Sequence, residues 1–400
     1  MRIGLFTDQY YPNVSGVVTS VKMLYEGLEK MGHECFIFTS YDEKDANKDD
    51  EELRNKNVIN LVGVRYPFRS IRDYRFSLRY KKHIAEIAKY NLDIIHVHTE
   101  YSIAKIAIKA SKRLGIPIVH TLHTSWKDYV NYLFPRLDKY IHRQLLWFLR
   151  KVFTEPISKA SVFDIVPTKK ILADLKLYGM YGDVKIVPTG IDLDRFNDKS
   201  NLKNERLQLK KRLGIDNKFI YGFIGRTSKE KNIEEILNAF SDSFKDNDEV
   251  RLLIVGGGPR LNDLKKQASE LKIDKNVIFT GLISWNEIPI YYRAMDVFVN
   301  ASKTETQGLT YIEALASGVP LLVRRDECLD DVMQDGYNGL YFDNTEDLIE
   351  KGMCLYNDSA LLSKMKDNAY KSILKYSKDE YSKKIYSIYE EAISIYKHKK

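Results

Sequence analysis

Residues 305–320, ETQGLTYIEALASGVP, place two carboxylates and a glycine at a spacing that suits a phosphorylated ligand. They follow the strand-like segment DVFVNAS, so Gly308 is expected at a strand-to-helix turn. The amino end of such a helix binds anions and would suit a diphosphate. Glu313, inside the helix, could accept hydrogen bonds from a ribose diol, and Glu305, ahead of it, could touch a sugar. The alternative is that both glutamates are solvated residues favoured by the helix dipole.

A second group of residues adds positive charge after another strand. Gly225 and Arg226 directly follow the segment IYGFI, and Lys231 lies five residues after Arg226 at a helix start. Arg binds phosphate bidentately and Lys adds a point charge, so the pair could clamp phosphates. The alternative is a charged surface loop. The turn 256–259, GGGP, would let the backbone approach a ligand, although a glycine loop alone is a weak signal.

Four histidines end two strands of the N-terminal half, in the segments HVHTE (96–100) and HTLHT (120–124). They could suggest a metal site, but the pairs lie on separate strands without clear carboxylate support. The three cysteines are Cys35, Cys328 and Cys354, and none forms a CxxC pair. We therefore predict no metal and no disulfide framework, as is typical of a reducing compartment.

The elements that position these residues alternate between strands and helices along the whole chain. Strands predicted near residues 2–6, 35–38, 94–97 and 118–121 alternate with helices, and the pattern restarts near residue 219. This alternation predicts parallel, doubly wound sheets. We expect an N-terminal domain over 1–197, a C-terminal domain over 198–375 with a polar linker at 198–208, and a final helix over 376–400 that packs back on the first domain. Open α/β sheets bind ligands at the carboxyl ends of their strands, so two domains would face each other across a cleft.

The motifs as a set resemble the large retaining glycosyltransferase family of GT-B fold, which has two Rossmann-like domains. The resemblance rests on the Glu-x7-Glu element, the Gly-Arg…Lys segment, the GGGP turn and residues 188–192, PTGID. It implies that Arg226, Lys231, Gly308 and Leu309 hold the diphosphate of a sugar nucleotide. It also implies roles for several other residues: Gly16 beneath the phosphates, Glu313 at the ribose, Glu305 at a sugar hydroxyl, His123 near the reacting centre and Asp128 on the acceptor side. No cofactor is implied, and the family usually needs no metal.

The net charge of +8 is concentrated in the N-terminal half. Residues 65–151 contain 18 Lys and Arg but only 6 Asp and Glu. A helix predicted over 75–89 would separate apolar from basic residues, and a second basic and aromatic stretch spans 139–153. Such surfaces suit an anionic membrane, although an ordinary helix with its apolar face in the core is the alternative. The residues predicted to face the membrane or the acceptor are Arg69, Arg72, Arg75, Arg79, Lys81, Lys82 and Trp147. No nucleic-acid-binding motif is present.

Within the family, the segments FTDQYYPNVSGVVTSV, HTLHTSWKDYVNY and ETQGLTYIEALASG resemble those of bacterial diacylglycerol glucosyltransferases. The resemblance implies transfer of a hexose, with glucose from UDP-glucose as the expectation, to the free hydroxyl of 1,2-diacylglycerol. Neither a signal peptide nor a membrane span is recognisable, so we expect a cytoplasmic enzyme peripheral on the inner face of the cell membrane. The alternatives are transfer to a soluble or polyprenyl-linked acceptor, epimerisation of a sugar nucleotide, and a non-catalytic module that binds UDP-sugar.

Overall fold

The computed structural model divides into two α/β units, each built on its own sheet. The first unit comprises Met1–Ile191 and Lys378–Lys400, and the second comprises Asp192–Ser377. The structure describes residues 1–11, 15–41, 53, 55–61, 63–65, 75–76, 79–123, 127, 130, 139–177, 182–197 and 202–398. Of these, the side chains of residues 65, 75, 76, 139, 140, 176, 177, 202 and 203 are not described.

Each sheet is parallel throughout its described strands. The strands of the first unit's sheet are β1 (Arg2–Phe6), β2 (Glu34–Thr39), β3 (Val58–Asn60), β6 (Ile94–Val97), β7 (Ile118–Thr121), β8 (Phe163–Val166) and β9 (Asp183–Ile186), with β4 (Val64–Arg65) and β5 (Arg75–Phe76) forming a separate antiparallel pair. The strands of the second unit are β10 (Phe219–Ile224), β11 (Val250–Val255), β12 (Val277–Gly281), β13 (Val297–Asn300), β14 (Leu321–Arg324) and β15 (Gly339–Phe342). The strand orders are β3-β2-β1-β6-β7-β8-β9 and β12-β11-β10-β13-β14-β15. Both orders reverse direction once, as expected for doubly wound sheets.

Helices connect the strands and cover the sheet faces. In the first part of the chain they are α1 (Gly16–Lys30), α2 (Tyr80–Ala88), α3 (Ser102–Leu114), α4 (Lys139–Leu149), a π-helical turn (Arg150–Thr154), α5 (Glu155–Ala160) and α6 (Lys169–Leu177). The second unit contributes α7 (Leu193–Asn197), α8 (Leu202–Arg212), α9 (Ile233–Phe244), α10 (Leu261–Glu270), α11 (Ile288–Ala294), α12 (Leu309–Ala316), α13 (Thr345–Asn357) and α14 (Ser359–Ser372). The chain then returns to the first unit as α15 (Lys378–His398). None of the described helices combines the length and apolar character needed to cross a bilayer.

Helix α15 completes the core of the first unit. Its buried side chains repeat at helical spacing and join the cluster formed by α1 and the strands. Lys378 also pairs with Glu26 of α1 at 2.7 Å, and Lys30 of α1 pairs with Asp379 at 2.6 Å. The amino end of α1 is capped by Ser15, whose side chain accepts a hydrogen bond from the backbone of Val18 at 3.4 Å.

The described part of the predicted linker at 198–208 is helical, and residues 198–201 lie outside the described residues. The division between the units falls at Ile191 and Asp192, and residues 202–212 form α8. The segment LKNERLQLKKR reads as a linker because it is polar on nearly every side. The buried side chain of Leu209 nevertheless holds the helix to its unit. A 3₁₀ turn at Glu327–Leu329 follows β14 and precedes β15.

Candidate active site

The two segments predicted to bind a nucleotide diphosphate meet at the centre of the second unit's sheet. Strands β10 and β13 pair in parallel where the strand order reverses, so their carboxyl ends lie side by side. The loop after β10 carries Arg226 and Lys231, and the loop after β13 carries Glu305 and Gly308. Ligands of open α/β sheets bind at such a reversal. The fold therefore brings the four residues to one edge of the sheet.

Gly308 is required by the geometry of the turn into α12. Its backbone is left-handed, with φ 72° and ψ 63°. A β-carbon at this position would lie 2.2 Å from the ring of Tyr311, so a side chain is excluded by space as well as by the dihedral angles. The first backbone N–H groups of α12, which begins at Leu309, have no carbonyl partner within the helix. They present a partial positive charge to any anion placed before the helix.

The glycine turn after β11 packs directly on the loop after β10. A β-carbon on Gly256 would lie 2.0 Å from the carbonyl oxygen of Gly225, and one on Gly258 would lie 2.5 Å from that of Thr227. The backbone N–H of Thr227 donates to the carbonyl of Gly257 at 3.0 Å. The glycines thus allow two loops to touch backbone to backbone. This contact fixes the path of the chain on either side of Arg226.

Lys231 and Glu305 form an ion pair, with Nζ 2.5 Å from Oε1. Both side chains are largely buried, with exposed fractions of 20% and 11%. Arg226 differs because its side chain is exposed, and within the described part of the chain it forms no hydrogen bond or ion pair. Of the two cations predicted to hold a diphosphate, one is therefore balanced by a carboxylate and the other is available to an incoming anion.

Glu313 lies on α12 with its carboxylate in a poorly solvated position. Burial raises the pKa of Glu313 to about 7, against the opposing effects of a hydrogen bond from Tyr292 and the charge of Arg195. The hydroxyl of Tyr292 donates to Oε2 at 2.9 Å. Arg195 itself is held over the ring of Trp285, with Cζ 3.0 Å from the ring centroid. One carboxylate oxygen of Glu313 is thus fixed by a buried phenol, which leaves the other for a ligand.

Sequence reasoning assigned no role to Tyr292, which is fully buried near the end of α11. Nothing in the sequence pairs it with Glu313, which lies 21 residues further along the chain. The available signal was the double aromatic Tyr291-Tyr292 just ahead of β13. A tyrosine buried at such a position usually has a partner for its hydroxyl.

In the first unit, His123 lies beyond the carboxyl end of β7 and contacts a second histidine. Its Nε2 atom is 3.2 Å from Nδ1 of His98, which follows β6. Burial and the charge of His120 lower the pKa of His123 to about 3. Burial also holds the pKa of His98 well below its ordinary value of 6.5. Both imidazoles are therefore neutral near pH 7.

The other two histidines of the predicted cluster have different partners. His96 has Nδ1 2.7 Å from the hydroxyl of Tyr389 on α15 and Nε2 2.7 Å from the hydroxyl of Thr121. His120 contacts Asp164 at 2.9 Å and approaches Glu100 at 3.7 Å. Burial alone would lower the pKa of His120, but the hydrogen bonds to these carboxylates outweigh it and raise the pKa to about 9. Among the described residues, no three His, Cys, Asp or Glu side chains are arranged to hold a metal ion.

Several other predicted site residues can be placed, and some cannot. Gly16 is the exposed first residue of α1. Asp128 lies outside the described residues, as do Arg69 and Arg72. Lys127, which precedes Asp128, is half-exposed and has Nζ 3.4 Å from a carboxylate oxygen of Asp174.

The helix predicted over 75–89 is wrong at its amino end. Arg75 lies in strand β5, opposite Arg65, and α2 begins only at Tyr80. The apolar face of α2 is also not available to a membrane, because Ile87 is buried in the core and Tyr80 packs against it. The basic side chains of Lys81, Lys82 and the preceding Arg79 are exposed.

The second basic stretch does expose apolar side chains. On α4, the exposed fractions are 57% for Trp147, 53% for Phe148 and 51% for Ile141. Two of its predicted cations are paired, because Lys151 lies 2.9 Å and Arg150 3.7 Å from the carboxylate of Glu155. An exposed apolar group of this kind on a helix commonly marks an interaction surface.

Comparison with known proteins decides the family. The family model described as Glycosyltransferase Family 4 matches residues 14–195, and the one described as Glycosyl transferases group 1 matches residues 205–372. The chain is 36% identical over 395 residues to the alpha-monoglucosyldiacylglycerol synthase of Acholeplasma laidlawii, with 98% of each chain covered. It is 38% identical over 396 residues to the protein of the same name from Streptococcus pneumoniae, with 98% of this chain and 86% of that protein covered.

The chain belongs to this glycosyltransferase family. The predicted hexosyltransferase class and the two Rossmann-like domains are thereby confirmed. The glycosyltransferase is also similar to the solved structure of Anabaena HepE in complex with UDP-glucose, with a TM-score of 0.74 and 17% identity over 96% of this chain and 98% of that one. At this level of identity, the likeness shows the GT-B fold.

Proposed function

We propose that this enzyme transfers glucose from UDP-glucose to the free hydroxyl of 1,2-diacylglycerol, with retention at the anomeric carbon. The observation that carries the proposal is the similarity, over 98% of this chain, to two alpha-monoglucosyldiacylglycerol synthases. The name of these relatives specifies an α-linked glucose on diacylglycerol. Because the sugar of UDP-glucose is itself α-linked, an α-linked product corresponds to retention.

The donor side of the proposal uses residues of the second unit. Arg226 and Lys231 would hold the diphosphate, together with the N–H groups at Gly308 and Leu309. A leaving diphosphate gains negative charge as the glycosidic bond breaks, and cations and helix dipoles aimed at it stabilise the transition state. Lys231 would then exchange its carboxylate partner for phosphate. That exchange would free Glu305 to accept a hydrogen bond from a sugar hydroxyl.

Glu313 would bind the ribose of the nucleotide through the oxygen that Tyr292 does not hold. We assign His123 to the transferred sugar and Asp128 to the acceptor side. The transferred carbon passes through an oxocarbenium-like state, as in glycoside hydrolysis. A neutral imidazole at His123 would not repel that developing positive charge, whereas a protonated one would. The leaving phosphate is our candidate for the base that deprotonates the acceptor, and the proposed chemistry involves no metal or cofactor.

The acceptor reaches the enzyme from a membrane in this proposal, so the basic and apolar surface of the first unit would bind anionic lipid at the inner face of the cell membrane. Exposed Lys81 and Lys82 supply positive charge, and Trp147 and Phe148 supply apolar side chains that could enter the interface. Arg69, Arg72, Arg75 and Arg79 belong to the same basic segment.

The first test measures transfer of labelled glucose from UDP-glucose into an organic-extractable product. Liposomes contain diacylglycerol with or without anionic lipid. The proposal expects lipid-linked label that increases with anionic lipid. Release of UDP without a lipid product would overturn the acceptor assignment and favour a soluble acceptor or hydrolysis. Binding of UDP-glucose without any turnover would show a non-catalytic module.

Two pairs of variants separate donor chemistry from membrane binding. Arg226→Ala should reduce kcat by about a hundredfold or more, the range for loss of one charge stabiliser, whereas Lys265→Ala, at an exposed lysine of α10, should not. Trp147→Ser should weaken liposome binding, whereas Leu207→Ser removes an apolar side chain of similar exposure from α8 and should not. Equal effects within either pair would contradict the assignment of that residue.

A further inference from the structure

His98 is a buried polar residue to which neither the similarity to relatives nor the donor-site argument assigns a role. It has no exposed surface, and its backbone N–H donates to the carbonyl of Phe6 at 2.8 Å, which holds it at the carboxyl end of the sheet. Its ring lies against that of His96, with centroids 4.0 Å apart. The backbone hydrogen bond and the neighbouring ring together leave the imidazole little freedom to turn.

The rings of His98 and His123 meet edge to edge. Their planes differ by 17°, and their centroids are 5.5 Å apart. Nδ1 of His98 lies 3.2 Å from Nε2 of His123. The distance between the centroids is close to the sum of this N···N distance and the radii of the two imidazole rings. The N···N line therefore lies nearly in the plane of both rings. This is the geometry of an N–H···N hydrogen bond between two neutral imidazoles.

The surroundings of His98 decide which ring carries the proton of that bond. Its other nitrogen, Nε2, is buried and has no hydrogen-bond partner in the described part of the chain. A proton on Nε2 would be a buried donor without an acceptor, and orphaned buried N–H groups are rarer than under-used acceptors. The lower-cost arrangement puts the proton on Nδ1 of His98, which then donates to Nε2 of His123.

We propose that His98 is a positioning residue that fixes His123 in the tautomer with its proton on Nδ1. Because Nε2 of His123 accepts from His98, its Nδ1–H becomes the hydrogen-bond donor that the half-buried ring presents to a substrate oxygen. Holding a histidine in one tautomer and orientation is how a buried partner supports catalysis through it in other enzymes. The inference rests on the proposed function for the role of His123, but not for the tautomer itself.

The tautomer can be measured without any activity. In protein labelled with ¹⁵N-histidine, long-range ¹H–¹⁵N correlations distinguish protonated from bare ring nitrogens, and spectra of His123→Gln and His98→Phe identify the two residues' signals. We expect protonated Nδ1 and bare Nε2 in both rings. A protonated Nε2 in His123 of the wild-type protein would overturn the proposal. Because this readout uses the unmodified protein, it does not depend on whether a variant folds.

Two variants of His98 then separate the hydrogen bond from the ring. His98→Phe keeps the ring but removes the donor, and His98→Asn removes the ring but keeps an N–H near the position of Nδ1. We expect kcat to fall by about 10- to 100-fold in His98→Phe, as for other residues that orient a functional histidine. KM for UDP-glucose should change much less, and His98→Asn should recover most of kcat. Full activity of His98→Phe, or no recovery in His98→Asn, would overturn the proposal.

His33→Phe is the matched control, because His33 precedes β2 at the opposite, amino-terminal edge of the sheet and stacks on Tyr386. It should leave kcat unchanged. The two proposals fail separately in these experiments. An enzyme that glucosylates diacylglycerol but shows a protonated Nε2 in His123 refutes only the tautomer. A protein with the expected tautomer that transfers no glucose to lipid refutes only the function.

Discussion

At high pH, the enzyme should be less stable than a variant that has no ionisable side chain at position 313, because burial opposes ionisation of Glu313. Burial raises the pKa of its carboxyl to about 7 in the folded protein, from an ordinary value of 4.5. The folded state therefore holds the proton more tightly than the unfolded state does. Stability is highest below the unfolded pKa of 4.5, and it falls as the pH rises through 7.

The size of the effect follows from the displacement of the pKa. Each pKa unit corresponds to about 1.4 kcal/mol, so the cost of ionising Glu313 approaches about 3 kcal/mol above pH 7 and is nearly absent below pH 4. Because the side chain is only partly shielded from solvent, this is an upper value. Glu313→Gln removes the cost while its amide oxygen still accepts from Tyr292. For a unit of this size, the gain corresponds to a rise in Tm of up to about 10 °C at pH 8.

The assay compares urea and thermal unfolding of wild type and Glu313→Gln at pH 4.5 and pH 8, without nucleotide. Glu350→Gln, at an exposed glutamate of α13, serves as the control and should match wild type at both pH values. We expect Glu313→Gln to equal wild type at pH 4.5, to exceed it at pH 8, and to bind UDP-glucose more weakly. A stability difference that does not change with pH would refute the argument that burial opposes ionisation of Glu313.

Three further outcomes can be checked with single substitutions. Tyr292→Phe removes a hydrogen-bond donor that favours the ionised form of Glu313. The pH below which KM for the nucleotide sugar rises should therefore move up by about one unit. Initial rates between pH 6 and 9 measure the midpoint of this rise in KM, and a midpoint equal to that of wild type would contradict the prediction. Gly318 has a similar φ of +75° but open space around it, so Gly318→Ala should lower the free energy of unfolding in urea by about 1–2 kcal/mol. Gly308→Ala should lower it by much more, because its β-carbon would collide with Tyr311. Equal losses in the two variants would contradict the packing argument. Asp164→Asn should destabilise by about 3–5 kcal/mol at pH 6, because it removes the counter-charge of a buried protonated histidine. As the pKa of that histidine is about 9, the loss should be smaller at pH 9.5, and urea midpoints at the two pH values test this.

The fold, and the place in it of the residues proposed to bind the donor, were predictable because short motifs encode them. A glycine at a strand-to-helix turn specifies its own backbone conformation, so Gly308 could be placed from the sequence with its helix. The alternation of strands and helices likewise fixes parallel sheets, and parallel sheets gather strand ends at one edge. Arg226 and Glu305 could therefore be brought together without knowledge of any contact between them.

Partners that are distant in sequence could not be predicted in this way. The contacts of Glu313 with Tyr292 and of His98 with His123 depend on how separate elements pack. The pKa values of these groups depend on burial, which no local pattern reports. The error at α2 has a related cause: a basic and aromatic segment satisfies helical spacing over 75–89, but pairing with β4 draws Arg75 into a strand.

Helix α15 also sets the order in which the protein can become active during its synthesis. The first unit lacks part of its core until residues 378–398 have been made, because Tyr389 and its neighbours on α15 fill the space beside α1. The whole second unit, residues 192–377, must be translated before them. At about 5–20 residues per second, the first unit waits on the order of 10–40 s with an open apolar groove. His96 gains the hydroxyl of Tyr389 only then, so the histidine cluster is completed only after the whole second unit has been translated.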